Sequence, residues 1–275
     1  MPDDLPLHIA PSGADPPPAP PRRPSSPTRW VVVGAGAVIA GALLTIWWMG
    51  RAQPDPTSLA PTGPTEVEIA SRRPKRQPLE LPTLAASDGL LRELAAALSR
   101  HPLLARLAAT KGVVRSIVLA VVQIGDGKTP AKPLAVLQPS GPLRMTQGTP
   151  GRLDPATYAR WDAAVAALTS IDAADAAQVY VNVKPVFDEA YAELGYPGGD
   201  FDQAIVRAIR TLDATPDLAS EPVLLQRPNY VEYEDAALRA LLPVQKQLLL
   251  IGTNNRRAVL RWIHQLAANL DLKVN

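Results

Sequence analysis

From Trp30 to Met49 the chain reads WVVVGAGAVIAGALLTIWWM, twenty residues without a charge. At about 1.5 Å per helical residue such a run reaches across the ~30 Å hydrocarbon layer of a bilayer. Indole rings favour the membrane interface; Trp30 stands at one end of the run, Trp47 and Trp48 at the other, and Arg29 and Arg51 fence it. The pattern predicts one transmembrane helix over residues 30–49, with Arg29, Trp30, Trp47, Trp48 and Arg51 at the interfaces and the lipid bilayer as the first partner. A buried core helix would not lie between two Pro-rich polar stretches, and a cleaved signal has a shorter apolar core, so the span is expected to stay attached.

Arg22, Arg23 and Arg29 precede the run, whereas only Arg51 follows it closely. The side richer in Lys and Arg stays cytoplasmic, which predicts a bacterial inner-membrane protein with its N-terminus in the cytoplasm and its C-terminal part in the periplasm. Within the span Ala37, Gly41 and Thr45 recur every fourth residue, a candidate seam for a homodimer. Residues 1–29 hold ten Pro and few large apolar side chains, so they read as a disordered cytoplasmic tail. Residues 50–82, with seven Pro, read as a Pro-rich linker that carries the basic cluster Arg72, Arg73, Lys75 and Arg76. The remainder, residues 83–275, has 20 basic against 19 acidic side chains, which excludes a broad nucleic-acid footprint.

Over residues 83–275 the spacing predicts an α+β globular domain, predominantly helical, with a small antiparallel sheet. Asp88 is placed as the cap of a helix with the stripe Leu90, Leu91, Leu94 and Leu98, followed after His101-Pro102 by a second short helix with Leu103, Leu104 and Leu107. Val113 to Ile124 is rich in β-branched residues; with the turn Gly125-Asp126-Gly127 and the run Pro133 to Gln138 it reads as an antiparallel hairpin. Asp154-Pro155 opens a helix with the stripe Tyr158, Trp161, Val165 and Leu168. Asp172 opens another through Tyr180, Phe187 and Tyr191, kinked at Pro185 and closed by Gly195. Asp200 with Gln203 starts the next, and Val223 to Tyr233 looks extended. Asp235 caps a helix running to Gly252 and bent at Pro243, and Asn254 caps the last one, with the stripe Val259, Trp262, Ile263, Leu266 and Leu270.

Catalytic chemistry finds few footholds. The chain has no Cys, which removes disulfides and thiolates, and its three His, at 8, 101 and 264, share no metal-ligand spacing, so neither a metal nor a cofactor is expected. Gly127-Lys128-Thr129 has the wrong register for a phosphate loop and leads into Pro130 rather than a helix. Carboxylate pairs remain: Asp188 with Glu189 and Glu193, Asp200 with Asp202, and Glu232 with Glu234. Acid–base work would need one member desolvated and the other ionised. The aromatic residues Trp161, Tyr180, Tyr191, Tyr196, Tyr230 and Tyr233 include several on packing stripes, which leaves Arg160, Glu193, Tyr196 and Lys246 as the candidate partner-binding set.

The stretch AYAELGYPGGDFDQAIVRAI from Ala190 to Ile209, with NYVEYEDAALRALLPVQKQLLLIGTNN from Asn229 to Asn255, resembles the bacterial domain-of-unknown-function family numbered 3014. The likeness covers most of residues 82–272 and implies a membrane-anchored envelope domain with no established reaction. The expectation is therefore a non-enzymatic adaptor or scaffold whose periplasmic domain binds an envelope protein or a cell-wall polymer, against the alternative of an envelope hydrolase using a carboxylate pair.

Overall fold

A computed structural model describes residues 73–77, 80–146, 151–227 and 230–274. The tail over 1–29, the apolar run over 30–49 with its interface residues and its Ala37, Gly41 and Thr45 seam, and most of the stretch over 50–82 lie outside the described residues. Among the described residues no single helix is long and apolar enough to cross a membrane.

After a 3-10 turn at Leu84–Ala86, helices α1 (Asp88–Leu98) and α2 (Pro102–Ala108) form the expected opening pair. Helix α3 (Val113–Gly125) follows, then a 3-10 turn at Ala135–Leu137, then α4 (Pro155–Ala159), α5 (Asp162–Thr169), the long α6 (Ala173–Glu193) and α7 (Phe201–Asp213). Strands β1 (Leu224–Gln226) and β2 (Val231–Tyr233) precede α8 (Ala236–Arg239), α9 (Pro243–Leu250) and α10 (Thr253–Asn269). The predominantly helical reading with a small antiparallel sheet holds, but the sheet is not where the β-branched run placed it.

Val113 to Gly125 is helix. Its buried residues Val114, Val118 and Val122 fall four apart, which puts them on one helical face against α6. Packing on both α6 and α7 outweighs the modest β preference of Val and Ile. The apparent hairpin turn is a helix end: Lys128 N–H reaches Gln123 O and Gly127 N–H reaches Ile124 O, with Gly127 at φ +77°. That pair of bonds is a Schellman motif, and the left-handed residue it needs is the glycine. The sheet lies instead at β1 and β2, paired Leu224 to Tyr233 and Gln226 to Val231 and extended by a bridge from Gly151 to Leu224.

Four other expectations change in detail. Asp88 lies inside α1 rather than before it, and its carboxylate accepts from Gly112 N and Val113 N, so it caps α3 across the fold. The helix opened by Asp154 stops at Ala159, and α5 starts afresh at Asp162. The helix opened by Asp235 ends at Arg239; Pro243 takes the first position of α9, where its missing N–H costs nothing, instead of bending one long helix. Gly252, at φ +87°, precedes α10 in the place expected for Asn254. Pro185 falls inside α6, in the helix where the sequence places it.

The main core gathers around α6. Val181, Val183, Val186 and Ala190 meet Val114 and Val118 of α3, Phe201 and Ala204 of α7, and Leu270 at the end of α10. A second cluster, Leu153, Leu224, Tyr233, Leu238 and Leu249, sits under the hairpin, and a third, Leu212, Val244, Leu248 and Ile251, joins α7 to α9.

Candidate functional site

A cluster of ionisable groups stands where α6 passes the N-terminus of α7. Asp200 caps α7, its Oδ1 accepting from Asp202 N, and Asp188 reaches across from α6 to accept from Phe201 N. Unpaired N–H groups and the positive helix end make this a natural seat for carboxylates. Lys184 spans two of them, 2.8 Å from Asp188 and 2.6 Å from Asp200. Asp202 is turned inward: the Tyr180 hydroxyl donates to its Oδ1 at 2.6 Å and Arg73 to its Oδ2 at 2.7 Å.

Three of these groups are held in one protonation state by their surroundings. Burial, reinforced by the hydrogen bond to Asp202, holds the Tyr180 hydroxyl well above the ordinary tyrosine range. Burial would lower Lys184, but its bonds to Asp188 and Asp200 outweigh it and the ammonium is held charged. Burial would raise Asp200, yet Lys184 and the Asp202 amide hold it below the usual carboxylate range. The arrangement therefore fastens two helices and the Arg73 segment together, with Tyr180 protonated and Asp200 ionised at neutral pH.

Among the described residues, the other carboxylates singled out in sequence have structural partners with one exception. Glu189 accepts from Leu84 N, Glu193 takes a forked pair of bonds from Arg115 at 2.6 and 2.9 Å, and Glu232 pairs with Arg227 and Arg239. Glu234, at the end of the hairpin, is exposed.

Of the candidate partner-binding residues, Glu193 and Tyr196 fall together at the end of α6. Gly195, at φ +99°, turns the chain out of the helix, and the Tyr196 ring then stacks on Tyr191 at 4.5 Å and 7°. Tyr191 is anchored in the core and accepts from Arg207 through its hydroxyl. Tyr196 remains 37% exposed and Leu194 39% exposed, next to the Arg115–Glu193 fork. The Arg115 bond draws the Glu193 carboxyl below its ordinary range. Arg160 belongs to another place, at the end of α4, where it donates to Gly141 O. Burial pulls its guanidinium down from the usual arginine value. Lys246 is on α9, where its carbonyl accepts from the Tyr233 hydroxyl. Among the described residues no hydrogen bond or ion pair joins any two of Arg160, Glu193, Tyr196 and Lys246. Tyr180 and Tyr191 are core residues, as their stripe predicts, whereas Tyr230 is 43% exposed.

Sequence reasoning missed two features. Beneath the hairpin the Tyr158 hydroxyl is enclosed beside Glu221 without a formed hydrogen bond, and burial with that neighbour raises it beyond the ordinary range. Its ring packs so closely on Gly252 that a Cβ there would meet ring carbons at 2.9 Å. Between the start of α6 and α10 lies an open cleft of about 350 Å³, lined by Thr169, Asp172, Arg261, Trp262 and Gln265 among others. The indole of Trp262 donates to Ile171 O at its edge. Neither feature has a local signal, because each joins residues far apart in the chain.

Residues 113–267 match the family described as Protein of unknown function (DUF3014). The chain belongs to that family. The match runs from the first residue of α3 into α10, so it contains Tyr180, Lys184, Asp188, Asp200 and Asp202 but not Arg73. No curated protein and no solved structure matches the chain.

Proposed function

We propose that this member of DUF3014 is a single-pass inner-membrane protein whose periplasmic domain is a non-catalytic adaptor for an envelope protein or a cell-wall polymer. The observation that carries the binding half is the shelf at the end of α6. There Tyr196 lies flat on Tyr191 with Leu194 exposed beside it and the Arg115–Glu193 fork at its rim. An amphipathic ring already held in one orientation loses little freedom on binding, and Tyr and Arg are favoured at recognition surfaces. The uncharged run from Trp30 to Met49, bounded by Arg29 and Arg51, supports the anchor.

Installing a photo-crosslinking amino acid at Tyr196 of the full chain in its native membrane tests the reading. A discrete crosslinked species is expected, weakened when Glu193 is replaced by Gln, together with an active periplasmic reporter fused after Asn275. Crosslinks indistinguishable from those of a probe at exposed Glu234, or a reporter active in the cytoplasm, overturn it.

A further inference from the structure

The described segment Arg73–Gln77, just before the domain, does not hang free from it. Gln178 Nε2 donates to Lys75 O at 3.1 Å, and Gln77 N donates to Asn182 Oδ1 at 3.0 Å. Gln178 and Asn182 are one turn apart on α6 and hydrogen-bonded to each other, so the two amides form a short ladder for an extended backbone. Arg73 reaches further, to Asp202 of α7 and, at 3.4 Å, to Leu270 O at the end of α10. Downstream the chain is held differently: Leu81 packs on the main core and Leu84 is sunk into it. The segment thus has a polar, largely exposed outer half at Arg73–Gln77 and an apolar inner anchor at Leu81 and Leu84.

We propose that Arg73–Gln77 is a releasable clamp, latched by Arg73 on Asp202, that sets where the tether ends and hence how far the domain reaches from its anchor. The inference rests on the membrane-anchored reading above. Docked, the tether ends at Arg73; released, it ends at Leu81, which packs on the main core. Eight further residues, at about 3.3–3.6 Å each, add at most roughly 26–29 Å of reach without unfolding any helix. The outer half is suited to open first, because it is held by side-chain hydrogen bonds at the surface and buries no large apolar group. Among the described residues, a pull on the tether reaches Arg73 first. Its departure uncovers Asp202 while Tyr180 keeps that carboxylate engaged, so the core beneath stays intact.

Trypsin reads the clamp directly in the full chain in detergent micelles. The bond between Arg76 and Gln77 has its own N–H held by Asn182, and the carbonyl two residues upstream held by Gln178, so the docked segment resists cleavage there. The Arg73–Pro74 bond is a poor tryptic site, so replacing Arg73 removes no competing cut. Arg73→Ala is expected to raise nicking after Arg76 by tenfold or more, with cleavage after Arg210 inside α7 unchanged. Asn182→Ala is expected to raise it several-fold by a route that leaves Asp202 alone, and Arg73→Lys to fall between. Unchanged nicking in Arg73→Ala overturns the clamp, and so does an equal rise after Arg76 and Arg210, since the segment would then open only with the whole domain. Flotation of the same protein with liposomes reports the anchor separately. A chain that fails to float but shows selective nicking refutes the membrane reading and leaves the clamp.

Discussion

Replacing Asp202 by Ala should cost the domain about 3 kcal/mol, the sum of three losses of separate origin. The Asp202 side chain is 12% exposed and takes the Tyr180 hydroxyl at 2.6 Å on one oxygen and Arg73 at 2.7 Å on the other. Truncation leaves the hydroxyl enclosed without an acceptor, worth about 1–3 kcal/mol. Arg73 retains 29% side-chain exposure and can turn to water, so its share is close to the ~1 kcal/mol of a surface pair rather than the ~3–5 kcal/mol of a buried one. Losing an acidic residue from the first turn of α7 adds about 0.5 kcal/mol. Tyr180→Phe alone should cost about 1 kcal/mol, because Asp202 keeps Arg73. The double variant strands no hydroxyl, so its loss should fall short of the sum of the two by about 1–2 kcal/mol. Urea unfolding of the four proteins, followed by tryptophan fluorescence with the slopes compared first, measures that coupling. Additivity to within about 0.5 kcal/mol would refute the claim that Asp202 is needed to satisfy Tyr180.

Alkaline pH should unfold the domain through its phenols. Tyr180, Tyr158 and Tyr233 are all held above the ordinary tyrosine range, burial being the first cause in each. A raised native value means the native state keeps protons that the unfolded state releases. The stabilisation is therefore complete below pH ~10 and lost as pH climbs beyond it, and Tyr180→Phe should flatten the fall by up to ~1.4 kcal/mol per pH unit; equal slopes in urea midpoints above pH 10 would contradict this. Gly252→Ala should cost about 3 kcal/mol, since φ is +87° and the new Cβ would meet the Tyr158 ring at 2.9 Å. Gly89→Ala, in the exposed first turn of α1 with nothing within 4 Å, should instead gain about 0.5–1 kcal/mol, and thermal melts of the two decide the contrast. Asp88→Ala should cost about 1–2 kcal/mol and speed amide exchange at Gly112 and Val113 of α3 rather than within α1, which hydrogen exchange resolves.

Helix starts were legible wherever a side chain could do the capping locally. Asp154, Asp172, Asp200 and Asp235 each accept from backbone N–H groups two or three residues on, as their positions before apolar stripes imply. Asp88 looks identical in sequence but spends its carboxylate on α3, because Ser87 takes the N-cap position of α1 and the bare N-terminus at Gly112 lies within reach. At α3 residue type points to a strand while spacing points to a helix. Val114, Val118 and Val122 repeat with a helical period, and a run of thirteen residues is long for a strand in a small sheet. Gly125-Asp126-Gly127 then misled in the same direction, since a Schellman glycine and a hairpin glycine ask for the same backbone.

The polar site was much harder to read, and the reason is distance along the chain rather than weakness of the residues. Asp200 could be seen as a cap, but Asp202 gains its character only from Tyr180, 22 positions earlier, and from Arg73, 129 positions earlier. Arg73 in particular was hidden inside a basic cluster in a Pro-rich stretch, where a solvated charge run is the ordinary expectation. One charge of that cluster instead neutralises the carboxylate that the core turns inward at the head of α7. That contact lies outside the residues matched to the family, whereas its acceptor lies inside them. Tyr180 and the helix terminus engage the acceptor from within the domain, and what Arg73 adds is attachment of the tether, the property its removal is expected to disturb without unfolding the domain.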